Sequence, residues 1–275
     1  MSKKVKIGIT GGSGVLGSLL KKKLDINKNK LKVFRGDVSK KNLVFKWIRH
    51  NQFDILIHLA AIVPTTEVEK NYSRAIKVNY GGTKNLIEAI KKFQKKKIYI
   101  FFSSTSHIYN FSNKILDENS PYFGLSKYGK TKILAEKILR KYSSIYDLCI
   151  GRISSLTSEK QKRTSFLTNL IGKLKERKNI FFDNANIYRN FIHAEDVCNI
   201  VHILVKKKFT GIVNITNNEK VKFSDLFKYL NQKFGNLIVY DLKEEEKLLL
   251  SNKILKNSIT FRKPMNIKKI VNRLI

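Results

Sequence analysis

Residues 5–10 form a short β-branched run that ends in Thr10-Gly11-Gly12-Ser13-Gly14-Val15-Leu16-Gly17, and helical spacing sets in from Gly14 to Leu24. Gly11, Gly14 and Gly17 lie three apart at this strand-to-helix turn. Glycines so placed let backbone N–H groups approach a pyrophosphate and set it at the positive end of a helix. The spacing differs from the GxGxxG fingerprint of most dehydrogenases. A glycine-rich turn alone can be no more than a tight turn. Here it opens the first βα unit of a chain that goes on alternating, which points to nucleotide binding.

The alternation runs through the first half. Residues 31–34 read as strand, 43–49 as helix, 55–59 as a continuous apolar run, 75–93 as a long helix, 98–103 as a buried strand, 125–142 as helix and 147–153 as strand. Short, wholly apolar strands alternating with helices predict an α/β fold built on a doubly wound parallel sheet of the Rossmann type. After Arg152 the pattern loosens into a polar loop (154–163), a helix and short pieces. Residues 211–215 read as one more strand, and after Phe223 helix mixes with lysine-rich loop. The expected organisation is a dinucleotide-binding domain over 1–153, to which 189–215 returns, and a small interwoven substrate lobe from 154–188 and 216–275.

Composition removes several function classes. At 275 residues and 42% hydrophobic the chain can bury a large core, yet no apolar run approaches the roughly 20 residues that cross a bilayer. Met1-Ser2-Lys3-Lys4 leads straight into a strand-like segment, so no signal peptide and a cytoplasmic location are expected. Cys149 and Cys198 sit in apolar segments without metal-ligand spacing and read as buried thiols, and no metal site is expected. The charge is abnormal: 55 Lys+Arg against 21 Asp+Glu give +34. The lysines are scattered over almost every helix and turn rather than gathered in one arm, and no nucleic-acid motif accompanies them. A solvated lysine surface, without a nucleic-acid partner, is the reading.

The motifs "TGGSGVLG", "GDVS", "HLAA", "VNYGGTKNLIEA", "FFSSTSHIY", "YGKTK", "NFIHAEDV" and "GIVNITN" occur in this order along the chain. Together they resemble the extended short-chain dehydrogenases/reductases, the nucleotide-sugar epimerase/dehydratase/reductase family, over roughly residues 4–230. The resemblance implies a nicotinamide dinucleotide as cofactor, a nucleotide sugar as substrate and a homodimer.

Two tyrosines, Tyr122 and Tyr128, compete for the acid/base role. On a helix residues four apart share a face, whereas residues five apart are about 140° from each other. Tyr128 and Lys132 are four apart; Tyr122 has Ser126 at that offset, with Lys127 on the wrong side. Tyr128 shares a sheet-facing stripe with Thr131, Ala135, Ile138 and Tyr142, while Lys130, Lys137 and Lys141 lie on the wet side. An adjacent ammonium favours a phenolate, and moving a phenol from 10 towards 7 takes about 4 kcal/mol. The resemblance implies that Tyr128 is the acid/base and that Lys132 also binds the nicotinamide ribose.

The remaining roles follow from the matched motifs. Thr105, four before Tyr109, would hydrogen-bond the reacting substrate oxygen, with Ser103 and Ser104 as strand-end capping groups. Ser106 and His107 stand where the family's dehydratases carry an Asp-Glu pair, which argues against dehydration; Ser106 would meet substrate. Gly11, Ser13, Gly14, Val15, Leu16 and Gly17 would hold the pyrophosphate. Asp37 and Val38 would meet the adenine, and Leu59, Ala60 and Ala61 would line the dinucleotide. Asn79 would support the active-site backbone, and Arg152 matches an arginine at the end of the sheet. Arg189 would meet the diphosphate of the sugar nucleotide, with Ser155 near the sugar, and Asp196 reads as a helix cap. The family's Pro and Asn near Ser155 are missing.

NAD-preferring members carry an Asp at the end of the second strand, whereas this chain has Arg35 there. An arginine suits a 2′-phosphate, so NADP(H) is favoured, with NAD(H) the alternative. The expected activity is reduction of a 4-keto sugar nucleotide. The rivals are C4 epimerisation with retained NAD, a non-catalytic dinucleotide-binding regulator, and a polyanion-binding protein suggested by the charge.

Overall fold

A computed structural model describes residues 4–25, 30–63, 65–161 and 165–275. Residues 1–3 of the N-terminal stretch and 162–163 of the expected polar loop lie outside these. The first half runs β1 (Lys6–Thr10), α1 (Val15–Asp25), β2 (Lys30–Val33), α2 (Lys41–Arg49), β3 (Ile55–His58), α3 (Thr65–Lys70) and α4 (Tyr72–Ile76). A π-helical turn (Lys77–Gly81) leads into α5 (Gly82–Phe93), followed by β4 (Ile98–Thr105), α6 (Lys127–Lys141) and β5 (Tyr146–Ile153). The second half holds β6 (Ser155–Thr157), α7 (Phe166–Lys175), β7 (Ile180–Phe182), β8 (Ile187–Arg189), β9 (Phe191–His193) and α8 (Ala194–Lys207). Then come β10 (Gly211–Ile215), β11 (Val221–Lys222), α9 (Phe223–Phe234), β12 (Ile238–Tyr240), β13 (Glu246–Leu248), α10 (Lys253–Ser258) and α11 (Ile267–Leu274).

Six strands form one sheet in the order β10-β5-β4-β3-β1-β2, every pair parallel. Helices cover both faces, so the central strands must be apolar on both sides; Ile55, Leu56 and Ile57 are all buried. On one face Ile7 and Ile9 pack with Leu20 and Leu24 of α1 and Val197, Val201 and Leu204 of α8. On the other, Ile100, Phe102 and Ile150 pack against α2, α5 and α6 through Ile48, Leu86, Ile90, Ala135 and Leu139. Each such side chain contributes about 1.5–3 kcal/mol by leaving water. Strand order reverses beside β1, with β2 on one side and β3 on the other. A crevice at the carboxyl ends of strands flanking such a reversal is where ligands bind in doubly wound sheets.

A separate core joins α7, α9 and α11 through Leu167, Leu170, Leu174, Leu226, Phe227, Leu230, Ile270 and Val271. Two small sheets, β11-β8-β13 and β12-β7, edge this lobe.

Three local readings are corrected. The long helix expected over 75–93 is interrupted by the π-turn. Thr83, at the start of α5, donates its hydroxyl to the carbonyl of Asn79 in the π-turn (2.7 Å), while the Asn79 side chain turns to the Ile62 backbone. The loop expected over 154–163 contains β6, which pairs in parallel with β9. Finally, residues 238–240 and 246–248 of the tail are strands, paired with β7 and β8.

Candidate active site

The glycine-rich turn is built from two packing constraints and one opening. Gly11 takes φ +70°, and a Cβ on it would lie 2.6 Å from the Ala60 nitrogen. A Cβ on Gly17 would lie 2.2 Å from the Gly11 oxygen. These glycines let the ends of β1 and β3 and the start of α1 close on one another. Gly14 differs: a Cβ there would meet only the Gly11 oxygen, at 3.4 Å. Gly14 and Ser13 are exposed, next to half-buried Val15 and Leu16, where α1 begins. Bare backbone at a positive helix end fits the phosphates of a dinucleotide.

Beside this turn Leu59, Ala60 and Ala61 are half-buried and Val38 is buried. Arg35 is exposed, just past β2, whose pairing continues as Phe34 N donates to Ile9 O (2.8 Å). Asp37 accepts from the Ser39 amide (2.8 Å). Partial burial raises the Asp37 carboxyl, but Ser39, Lys40 and Arg74 outweigh that and hold it below the usual range.

The other half of the site lies where β4 ends. Thr105, 6% exposed, accepts from the His107 amide (3.2 Å) and starts a 3₁₀ turn over Ser106–Ile108. Ser126 caps α6 by accepting from Gly129 N (3.1 Å), and its hydroxyl meets His107 Nδ1 at 3.2 Å. The His107 and Tyr128 rings meet edge to face, 6.1 Å between centroids. Burial and the Arg189 charge pull His107 down to about 4, so it is neutral at working pH.

Tyr128 and Lys132 are both buried, at 8% and 2% exposure. The stripe through Thr131 and Ala135 is buried as well, while Lys130, Lys137 and Lys141 are exposed. Lys132 Nζ stands 4.1 Å from the centre of the Phe102 ring. Desolvation pulls this ammonium down to about 7 against the raising effect of Glu136. Burial also pushes the Tyr128 phenol up. Without a dinucleotide beside them, loss of water dominates at both groups.

Tyr122 is elsewhere, bridged to Tyr109 through the backbone, with the Arg152 guanidinium 5.1 Å from its ring centre. Arg152 is fully buried and paired with Glu136, Nη2 to Oε2 at 2.8 Å, and it also donates to Tyr109 Oη (2.8 Å). Ser104 donates to Glu136, so it is a partner of this buried pair and not a strand-end cap. Asp196 is likewise corrected: His193 caps α8 by accepting from Glu195 N, and Asp196 accepts from Met265 N (2.9 Å).

Arg189 approaches this end of the sheet, 4.7 Å over the Phe111 ring, with its Nη2 3.9 Å from Glu246 Oε2. Ser106 is buried beside Thr105, and Ser155 is half-buried in β6, its amide donating to Asn190 O (3.1 Å). The structure thus brings Thr105, Ser106, His107, Tyr128, Lys132 and Arg189 to one end of the sheet and groups Arg35 and Asp37 with the glycine turn. Sequence reasoning missed Glu136 and His58. Glu136 lies one helical turn beyond Lys132, and His58 is the single polar residue of β3; both are signals that could have been read.

Among the described residues no His, Cys, Asp or Glu grouping could hold a metal, and no helix is long and apolar enough to cross a membrane. Cys149 and Cys198 are buried and form no disulfide.

Comparison with known proteins bears on family and fold. A Methanocaldococcus jannaschii protein provisionally named UDP-glucose 4-epimerase is 28% identical over 252 residues, 82% of either chain. GDP-6-deoxy-D-talose 4-dehydrogenase of Aggregatibacter actinomycetemcomitans is 27% identical over 211 residues, 74% of this chain and 71% of that one. In fold, the chain superposes on Thermus thermophilus UDP-glucose 4-epimerase in complex with NAD with a TM-score of 0.82, at 18% identity, over 98% of this chain and 99% of that one. The model of the family described as "NAD dependent epimerase/dehydratase family" matches residues 7–216, from β1 through β10, and the chain belongs to that family.

Proposed function

We propose that the chain reduces a 4-keto sugar nucleotide with NADPH, Tyr128 giving the proton. The observation that carries this reading is the buried pair on α6, Tyr128 one turn from Lys132, beside a β4 end that offers Thr105, Ser106 and His107 instead of carboxylates. A reduced nicotinamide, when bound against the glycine-rich turn and Lys132, would supply the hydride. Tyr128 Oη would donate to the ketone oxygen as it becomes a hydroxyl, and burial keeps that phenol protonated at neutral pH, as donation requires. Lys132, poised near neutrality, would return a proton to Tyr128 and hold the nicotinamide ribose. Thr105 Oγ1 would hydrogen-bond the same ketone oxygen. Arg189 would meet the diphosphate, and exposed Arg35 favours the 2′-phosphate of NADP(H). The lobe formed by 154–188 and 216–275 would hold the sugar nucleotide, close to Ser155.

A second reading, C4 epimerisation, draws on the Methanocaldococcus relative, which aligns over 82% of either chain. An epimerase recycles one NAD⁺, whereas a reductase must exchange its cofactor every turnover. The nucleotide released on denaturing the freshly purified protein separates them. Little bound nucleotide, with NADPH binding and leaving freely, supports the reductase. Near-stoichiometric, tightly held NAD⁺ contradicts it.

A further inference from the structure

Five buried polar side chains from separate segments make one hydrogen-bonded chain from the glycine-rich turn to the helix of Tyr128. Thr10 ends β1, His58 ends β3, Asn79 and Thr83 belong to the π-turn and α5, and Thr131 belongs to α6. None is more than 2% exposed. Thr10 Oγ1 meets His58 Nδ1 at 2.6 Å, and His58 Nε2 meets Thr83 Oγ1 at 3.0 Å. Thr83 Oγ1 reaches the Asn79 carbonyl at 2.7 Å. Asn79 Nδ2 donates to Thr131 Oγ1 at 3.0 Å, and Thr131 Oγ1 donates to the Tyr128 carbonyl at 2.8 Å.

Counting donors fixes the direction of every bond. A carbonyl can only accept, so the Thr83 hydroxyl proton goes to Asn79. Thr83 Oγ1 must then accept from His58 Nε2, which carries the ring proton. Burial, with the Lys132 charge adding to it, pulls His58 down to about 3, so the ring is neutral and Nδ1 is bare. Nδ1 accepts the Thr10 hydroxyl, and Thr10 Oγ1 accepts the Ala60 amide (3.3 Å). At the far end Asn79 clasps Ile62, accepting from its amide (2.8 Å) and donating to its carbonyl (3.1 Å). An apolar residue at 58 would continue β3 without the cost of burying a polar ring.

We infer that His58 is a positioning residue whose two ring nitrogens tie the turn that seats the dinucleotide to the π-turn that supports the Tyr128 helix. The inference rests on the reading of Thr10–Gly17 as a dinucleotide site. One imidazole then couples two events, seating the cofactor and setting the helix that would act on substrate. The Nδ1 bond staples Thr10, next to Gly11, to the end of β3. The Nε2 bond steadies Thr83 and, through it, Asn79.

Two substitutions cut the coupling on opposite sides. His58→Asn can keep an acceptor near the Nδ1 position but places nothing at Nε2. His58→Gln can bring an amide donor to the Nε2 position but leaves Thr10 without its acceptor. The readouts are the dissociation constants for NAD(H) and NADP(H) by fluorescence titration, and amide hydrogen exchange across residues 77–83 and 127–131. His58→Gln should weaken dinucleotide binding about three- to tenfold, the worth of one neutral hydrogen bond, with exchange unchanged. His58→Asn should leave binding within about twofold and speed exchange in both segments by a similar factor. Thr83→Val, which leaves the ring in place, should reproduce the His58→Asn pattern even if the histidine variants fold poorly. Parallel loss of binding and protection in all three variants would overturn the inference, since that is what general core loosening produces. A wild-type protein that binds neither dinucleotide would sink the site reading and the coupling with it, and the wild type alone shows that case.

Discussion

Gly129 lies directly against the carbonyl of His107: a Cβ on Gly129 would stand 1.9 Å from that oxygen. The first turn of α6 can therefore rest on the 3₁₀ turn after β4 only because the residue following Tyr128 has no side chain. That contact sets the Tyr128 ring against His107 and brings α6 next to Thr105. Gly129→Ala should cost about 1–3 kcal/mol of stability, because the obstructing atom is backbone and cannot rotate away. Gly81→Ala is the control. Its Cβ would meet only Ile76 O, at 3.8 Å, and it should be neutral or stabilising by up to about 1 kcal/mol. Thermal melting of the two variants checks both.

Lys132 should make the folded state more stable as the solution becomes more basic. Its ammonium is pulled from 10.5 to about 7 by burial. Between those values the unfolded chain binds a proton that the folded chain does not, so stability is lowest below about pH 7 and rises through the window towards 10.5. Lys132→Met should be more stable than wild type at pH 7, with the difference shrinking as pH rises. Urea midpoints of both proteins from pH 6.5 to 9.5 measure this, and a constant difference would refute it.

Glu136 should matter more to stability than any surface ion pair. It and Arg152 are at most 1% exposed, joined at 2.8 Å, whereas pairs such as Lys97–Asp147 sit in water. Glu136→Ala leaves an uncompensated buried guanidinium and should cost about 3–5 kcal/mol. Glu136→Ala combined with Arg152→Met should recover most of that loss in a denaturant titration.

The sheet was legible because its central strands β3 and β4 are short runs buried on both faces, the pattern of a parallel, helix-covered sheet, and because they alternate with helices. Tyr128 and Lys132 were legible because a four-residue offset fixes a shared face. The π-turn was not, since one extra residue in a helical turn leaves the hydrophobic spacing on either side readable as one helix. β6 was not, because its partner β9 lies more than thirty residues on and each strand has three residues. Glu136 was passed over although its offset of four from Lys132 puts it on the same buried face; its partner Arg152 on β5 is what the local sequence does not show. The shifts on Tyr128 and Lys132 depend on how completely water is excluded, which local spacing does not report.

Arg35 should choose between the two dinucleotides. It is exposed immediately past β2, while the Asp37 carboxylate is engaged by Ser39. Arg35→Ala should raise the dissociation constant for NADPH about tenfold, as loss of a charge-assisted contact to phosphate does, and leave NADH within about twofold. Equal losses for both cofactors would defeat the NADP(H) assignment.

The central claim is hydride reduction with Tyr128 as proton donor, and NADPH consumption tests it most directly. Purified protein is offered NADPH and a panel of 4-keto-6-deoxy sugar nucleotides carrying different bases, with Tyr128→Phe and Tyr122→Phe alongside. The account predicts one NADPH oxidised per sugar reduced with at least one of them. Tyr128→Phe should lose about 10²–10⁴ in rate while still binding cofactor, and Tyr122→Phe should stay active. Interconversion of C4 epimers without NADPH consumption would contradict the account, as would an inactive Tyr122→Phe beside a working Tyr128→Phe.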